Sequence, residues 1–228
     1  MVTKENYAPF ENHVADIVRH VRDTDARFAA LYTSSPPPYP IPFFGNLETA
    51  RVITIGVNPS SKEFAPWRSW KSDMTNEQLT SYLFPYFQNS KPKPHPWFAP
   101  IEEALNILDC SYQTNTAHTD LSPRATKAMS WLNGEGERSN FLQMIREDVV
   151  CISKLLSVCS SCRAVFLVGS VISLNNSEGQ QLKSYLTMNE RETFNTLGQE
   201  KFIQFSSRKR MADEVWNRRD ELKNLIWS

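Results

Sequence analysis

The sequence predicts an α/β fold: one domain spanning residues 1–228, with helices on both faces of a short, mostly parallel four-stranded sheet in three α/β/α layers. Three observations predict it. Five of the six residues from Val52 to Val57 are β-branched, and most are apolar, which suits a strand buried on both faces. A second buried run follows much later, at Arg163-Ala164-Val165-Phe166-Leu167-Val168-Gly169-Ser170. Around these runs, stretches of helical period alternate with short strand-like segments, the order that builds a parallel sheet.

Taken in order, Val14, Ile17, Val18, Val21, Phe28 and Leu31 recur at helical spacing and predict a helix from Tyr7 to about Leu31. Residues 1–40 are thus a helix and a stiff lead-in, because the prolines between Ser34 and Pro42 exclude both helix and central strand. The strand at Val52 ends at Gly56 and Pro59, with Asn58, Ser60 and Ser61 in the turn beyond it. Helices are expected over Thr75 to Phe87 and Trp97 to Leu108. The polar stretch from Tyr112 to Pro123 reads as a strand running into a loop. A helix from Asn140 to Leu156 precedes the strand near Val165. A helix-rich piece from Gly179 to Glu192, a short strand at Phe202-Ile203-Gln204-Phe205 and a terminal helix to Trp227 complete the chain.

Composition narrows the function. The 228 residues suffice for one large core, and 40% apolar with 22% charged residues is ordinary for a globular protein. Twenty-five basic residues balance 25 acidic ones, so any nucleic-acid contact must come from a local patch. No apolar run reaches the roughly 18 residues of a membrane span, and the first residues lack the form of a secretory signal, so a cytoplasmic location is expected. Of the four cysteines, Cys159 and Cys162 have a CxxC spacing with Cys151 upstream and Cys110 apart. No second pair at a zinc-like spacing accompanies them, so buried thiols beside a core strand are expected, and no metal.

Asn58 is the first candidate functional residue. In an open α/β sheet, ligands bind at the carboxyl ends of strands, and an Asn there brings an acceptor and a donor into the cleft. Phe64-Ala65-Pro66-Trp67-Arg68-Ser69-Trp70-Lys71 interleaves rings with cations, a pattern suited to stacking on bases beside phosphates or to anchoring a core. The basic proline loop Lys91-Pro92-Lys93-Pro94-His95-Pro96 is expected at the surface.

Gly56-Val57-Asn58-Pro59-Ser60 resembles the first motif of the uracil-DNA glycosylase superfamily, closest to the mismatch-specific and single-strand-selective branches, which carry Asn where the main uracil branch has Asp. The stretch around Asn115 is similar to the segment where an Asn reads the base, and Val165 to Ser170 is close to a core strand of the uracil branch. The resemblance covers about residues 40 to 225 and rests on the order of its motifs. It implies a uracil-DNA glycosylase-like fold and a monofunctional DNA glycosylase that flips out a damaged or modified pyrimidine, with DNA as partner, no cofactor and a monomeric state. By position, Asn58 would hold the attacking water, Phe64 or Trp70 would stack the base, and Asn115 would pair with its edge. Pro59 and Ser61 would contact phosphate through the backbone. His118 would assist a base that leaves poorly, or serve as a structural histidine bonded to Asp120.

The second motif departs from the pattern. Where the superfamily has a His or Asn after the last strand, this chain has Ser206-Ser207-Arg208-Lys209-Arg210-Met211. These residues are expected to grip DNA, with Arg210 or Met211 filling the space left by the base, or else to form a solvated charge run. Ser60 stands where the uracil branch has the Tyr that excludes a C5 methyl, which implies a pocket open at the C5 edge. Two further readings follow. One is a glycosylase for bulky bases of phage DNA, such as glucosylated hydroxymethylcytosine, acting in antiviral defence. The other is a catalytically weak DNA sensor.

Overall fold

The computed structural model describes residues 8–32, 39–59, 75–88, 94–127, 132–168 and 202–228. Its elements run α1 (Ala8–Thr24), a 3-10 stretch (Asp25–Leu31), β1 (Val52–Gly56), α2 (Asn76–Leu83), short 3-10 turns at Tyr86–Gln88 and Pro96–Phe98, α3 (Ala99–Asn106), β2 (Thr116–Asp120), α4 (Gly134–Ser157), β3 (Ala164–Leu167), β4 (Phe202–Gln204), α5 (Met211–Asn217) and α6 (Arg219–Trp227). The expected helix-rich piece from Gly179 to Glu192 lies outside the described residues. Among the described residues no helix is long and apolar enough to cross a membrane.

The chain folds into two compact units. One comprises Met1–Phe43, Val57–Leu83 and Asp120–Val158, the other Phe44–Gly56, Phe84–Thr119 and Cys159–Ser228.

The first unit is helical. Val14, Ile17, Val18 and Val21 bury the apolar stripe of α1, which packs against α2 and α4. The single helix expected through Leu31 tightens after Thr24, whose hydroxyl donates back to the carbonyls of His20 (2.8 Å) and Val21 (3.2 Å). Phe28 and Leu31 keep their burial in the 3-10 stretch that follows. In α2, Thr75 Oγ1 accepts from Gln78 N (3.1 Å) while Gln78 Oε1 accepts from Thr75 N (2.9 Å), a reciprocal cap. Pro85 ends that helix before the expected Phe87, because the residue preceding a proline is driven out of the helical region.

The second unit contains the sheet, in the order β2-β1-β3-β4. Val52 faces Ala164 and Ile55 faces Leu167 in the parallel β1–β3 pair, and Val165 faces Phe202 in the parallel β3–β4 pair. The parallel register runs through three strands, β1, β3 and β4, where a mostly parallel sheet of four was expected. β2 joins β1 at its start, where the Asn115 carbonyl accepts from Arg51 N (2.8 Å) and Val52 N (3.3 Å). Phe44 bridges antiparallel to His118 in β2, with N–O distances of 2.7 and 2.8 Å, which occupies backbone groups an edge strand would otherwise expose. Gly45 makes the turn after that bridge at φ 92°. A Cβ there would stand 3.0 Å from the Phe87 ring, so only glycine fits.

Helix α3 packs on α5, and α5 meets α6. The terminal helix is anchored by Arg51, which donates to the Ile226 carbonyl (2.8 Å) under the Trp227 ring, and by Trp227 Nε1, which donates to the Leu108 carbonyl (3.0 Å). All four cysteines are buried thiols without a disulfide. Burial, aided by neighbouring Asp109, pushes Cys110 up to about 12, and burial beside Cys162 raises Cys159 as well, so neither is a thiolate near neutrality.

Candidate functional site

In the first unit the half-buried residues Val57 and Asn58, just past the end of β1, are held by the segment from Ser122 to Lys127. Ser122 N donates to the Val57 carbonyl at 3.0 Å. Asn58 is half-buried, and its Nδ2 donates to Thr126 Oγ1 (2.9 Å) and to the Pro59 carbonyl (3.2 Å). With the amide nitrogen so fixed, the Asn58 carbonyl Oδ1 has a set direction and takes no hydrogen bond from a described residue. An acceptor so held can orient a water or a ligand donor.

What fixes the Ser122–Lys127 segment is an ion network. Arg124 is the largest fully buried side chain described. Its Nε donates to Asp148 Oδ2 (2.9 Å), and its Nη1 donates to Asp25 Oδ1 (2.7 Å), Tyr32 Oη (3.0 Å) and the Val21 carbonyl (3.2 Å). Its Nη2 donates to the Thr24 hydroxyl. Asp148 also accepts from Ser122 Oγ (2.6 Å), and its other oxygen lies 2.9 Å from His20 Nε2. Burial alone would lower the Arg124 pKa, but the Asp148 carboxylate and Tyr32 outweigh it and hold the guanidinium above its ordinary value. Burial raises Tyr32 despite the nearby Arg124, so the phenol keeps its proton. The network joins α1, the 3-10 stretch and α4 to the backbone that carries Asn58.

In the second unit Tyr112 Oη, Thr54 Oγ1 and His118 Nδ1 form a chain of contacts at 2.6 and 2.8 Å. The His118 ring lies within 5.0 Å, centroid to centroid, of both Trp97 and Phe98. Arg208 stands over the same Trp97 ring at 5.5 Å and donates to the Trp97 carbonyl (3.3 Å). The structure thus brings two expected site residues, Arg208 and His118, onto one tryptophan.

Several expectations need correction. His118 is only 2% exposed, so it is a core histidine, and the described partner of its Nδ1 is Thr54. Asn115 lies before β2, not within a strand that begins at Tyr112. Its Oδ1 accepts from Ser111 N (3.0 Å), closing a four-residue turn that occupies the first half of the expected strand, and the turn leaves Asn115 just before β2. The residue at the carboxyl end of β2 is Asp120. Pro59 is buried and has no N–H, so it contributes a carbonyl to Asn58 rather than an amide to phosphate.

After the last strand, the Ser206 N and Oγ both donate to the Glu214 carboxylate, while Ser207 Oγ and its carbonyl accept from Arg210 N. Met211 is fully buried at the start of α5 and cannot wedge into a duplex. Lys209 and Arg210 are exposed. Ser60, Ser61, Phe64 and Trp70 lie outside the described residues.

Sequence reasoning missed Thr126, Arg124, Asp148 and Trp97. For Arg124 the available signal was its place in Leu121-Ser122-Pro123-Arg124-Ala125-Thr126, a lone cation among small and apolar residues. Compared with protein-family models and with curated proteins, the chain matches none.

Proposed function

We propose that the chain is a monofunctional DNA glycosylase of the uracil-DNA glycosylase superfamily that hydrolyses the N-glycosidic bond of a modified pyrimidine. The observation that carries the reading is Asn58, two residues past the end of the buried strand β1, with its amide nitrogen committed to Thr126 and its Oδ1 held in one direction. An amide is too weak a base to take a proton from water, so Asn58 acts by orientation. The C1′–N bond breaks first, its electron pair leaving with the base. The sugar then carries oxocarbenium character, and water held on Oδ1 adds to C1′ and releases its proton to solvent. Exposed Lys209 and Arg210 supply local positive charge for phosphates in a chain of zero net charge.

A second reading, cleavage of bulky 5-substituted bases such as those of phage DNA, is favoured by Ser60 in place of a tyrosine. Labelled duplexes containing uracil, mismatched thymine or glucosylated hydroxymethylcytosine, scored for abasic sites, test both. Cleavage of the glucosylated base by wild type and its loss in Ser60→Tyr would establish the second reading. Abasic sites from none of the substrates would overturn the enzyme reading and leave a binding protein.

A further inference from the structure

We infer that the second unit carries a nucleotide subsite, an aromatic cleft that takes a nucleobase bearing an exocyclic amine with its phosphate toward the basic turn at Arg208. The cleft has a volume of about 180 Å³ and is lined by Phe87, Phe98, Tyr112, His95, Ala99 and Glu102, among others. Its walls hold one another in place. Phe87 and Tyr112 stack at 4.3 Å and 19°, and Phe98 meets each of them edge-on, at 4.9 and 5.3 Å. The Tyr112 hydroxyl is drawn toward Thr54. A cleft walled by such rings offers a flat heteroaromatic ring the faces and edges it stacks against.

The polar groups select which ring. Glu102 and Ala99 sit one turn apart on α3 and therefore share a face. Ser111 Oγ donates to Glu102 Oε1 (2.7 Å) and Tyr112 N donates to Oε2 (3.0 Å), which fixes the carboxylate and leaves each oxygen with further acceptor capacity. A carboxylate only accepts. It favours the amino group of cytosine or adenine and repels the carbonyl that thymine and uracil present in its place. His95 Nδ1 accepts from Trp97 N (3.1 Å), and burial together with nearby Arg208 lowers the imidazole's pKa, so the ring is neutral with its proton on Nε2. No histidine cation therefore neutralises Glu102 at this cleft.

A cation is held beside this lining. Arg208 donates to the carbonyl of Trp97, the residue between lining residues Pro96 and Phe98, and the exposed Lys209 and Arg210 come next in the chain.

The subsite is read by binding alone and does not depend on glycosidic hydrolysis. The full chain is titrated with dCMP, dAMP and dTMP and followed by amide chemical shifts and calorimetry. dCMP and dAMP should bind at least about tenfold more tightly than dTMP, with shifts concentrated in residues 94–102 and 112–113. Glu102→Gln should abolish that preference. Because Glu102 also holds the 111–112 turn, a second variant is needed. Ala99→Phe fills the cleft from an exposed helical position and should abolish binding with an unchanged melting temperature. Asn58→Ala should bind all three nucleotides as wild type does, whatever it does to catalysis. Equal affinity for dTMP, wild-type binding by Ala99→Phe, or no binding of any nucleotide at millimolar concentration would each overturn the inference.

Discussion

Arg124 in the first unit and His118 in the second are both buried, yet their surroundings solve the problem of buried polarity by different means. Around Arg124 the fold assembles carboxylates, a phenol, a hydroxyl and a carbonyl, so that the charge is kept and every donor nitrogen of the guanidinium has a partner. Around His118 it assembles rings, with the Thr54 hydroxyl at Nδ1. A guanidinium cannot shed its proton, so burying it requires opposite charge, whereas the imidazole is covered by rings and meets a hydroxyl. The difference locates chemistry. The ion network pins a segment that grips Asn58, while the aromatic region supplies a packed wall for a cleft.

The largest effect should come from breaking the ion network. Asp148→Ala leaves Arg124 buried without its main counter-charge and should cost about 3–5 kcal/mol in denaturant unfolding. Thr54→Val, which interrupts the Tyr112–Thr54–His118 chain, should cost about 1–3 kcal/mol. If Thr54→Val costs more than Asp148→Ala, the contrast between the units is mistaken.

Next in size are effects on turnover. Asn58→Ala should lower the single-turnover rate of base release at least about a hundredfold with DNA binding nearly intact, in keeping with loss of one positioned polar group. Thr126→Val removes the acceptor that fixes the Asn58 amide and should lower the rate about tenfold, while Thr126→Ser restores it. A Thr126→Val rate equal to wild type would show that Asn58 needs no such anchor.

The basic turn divides in the same way. Arg208 is committed to Trp97, so Arg208→Ala should lower the melting temperature and leave the salt dependence of DNA binding almost unchanged. Replacing exposed Lys209 and Arg210 together should reduce the salt slope by roughly two units, near one per lost phosphate contact. The reverse assignment would place Arg208 on the DNA.

The legible parts of the sequence were those whose side chains state their surroundings. Val52 to Ile55 are β-branched because both faces of β1 are covered, and the run predicted its strand to within a residue. The polar stretch after Tyr112 misled, because Ser, Thr and Asn serve turns and strands alike. Three consecutive amides, from Thr114 to Thr116, point at the Ser111 carbonyl, which makes a turn of what reads as a strand. The turn therefore leaves Asn115 just before β2, outside the strand in which the sequence placed it. The Arg124 network was illegible for another reason: its members, from Val21 to Asp148, are brought together only by the packing of α1 against α4.

The smallest effect concerns pH and belongs to the second unit. Burial, and then the Arg208 charge, hold the His95 pKa below its ordinary value in the folded chain. As the pH falls, the unfolded chain takes up that proton first, so stability is full above the unfolded-state pKa near 6.5 and declines as the pH falls toward the folded value. Glutamine in place of His95 can still accept from Trp97 N but cannot titrate. Between about pH 8 and about pH 5, wild type should therefore lose more stability than His95→Gln, its curve falling away from that of the variant as the pH drops. Taking the difference between the two proteins cancels every other titrating group. Arg208→Ala should narrow that difference, since it removes one of the two causes and leaves burial alone. Parallel curves for wild type and His95→Gln would mean that the imidazole is solvated and that the wall of the cleft it lines is more open than the packing indicates.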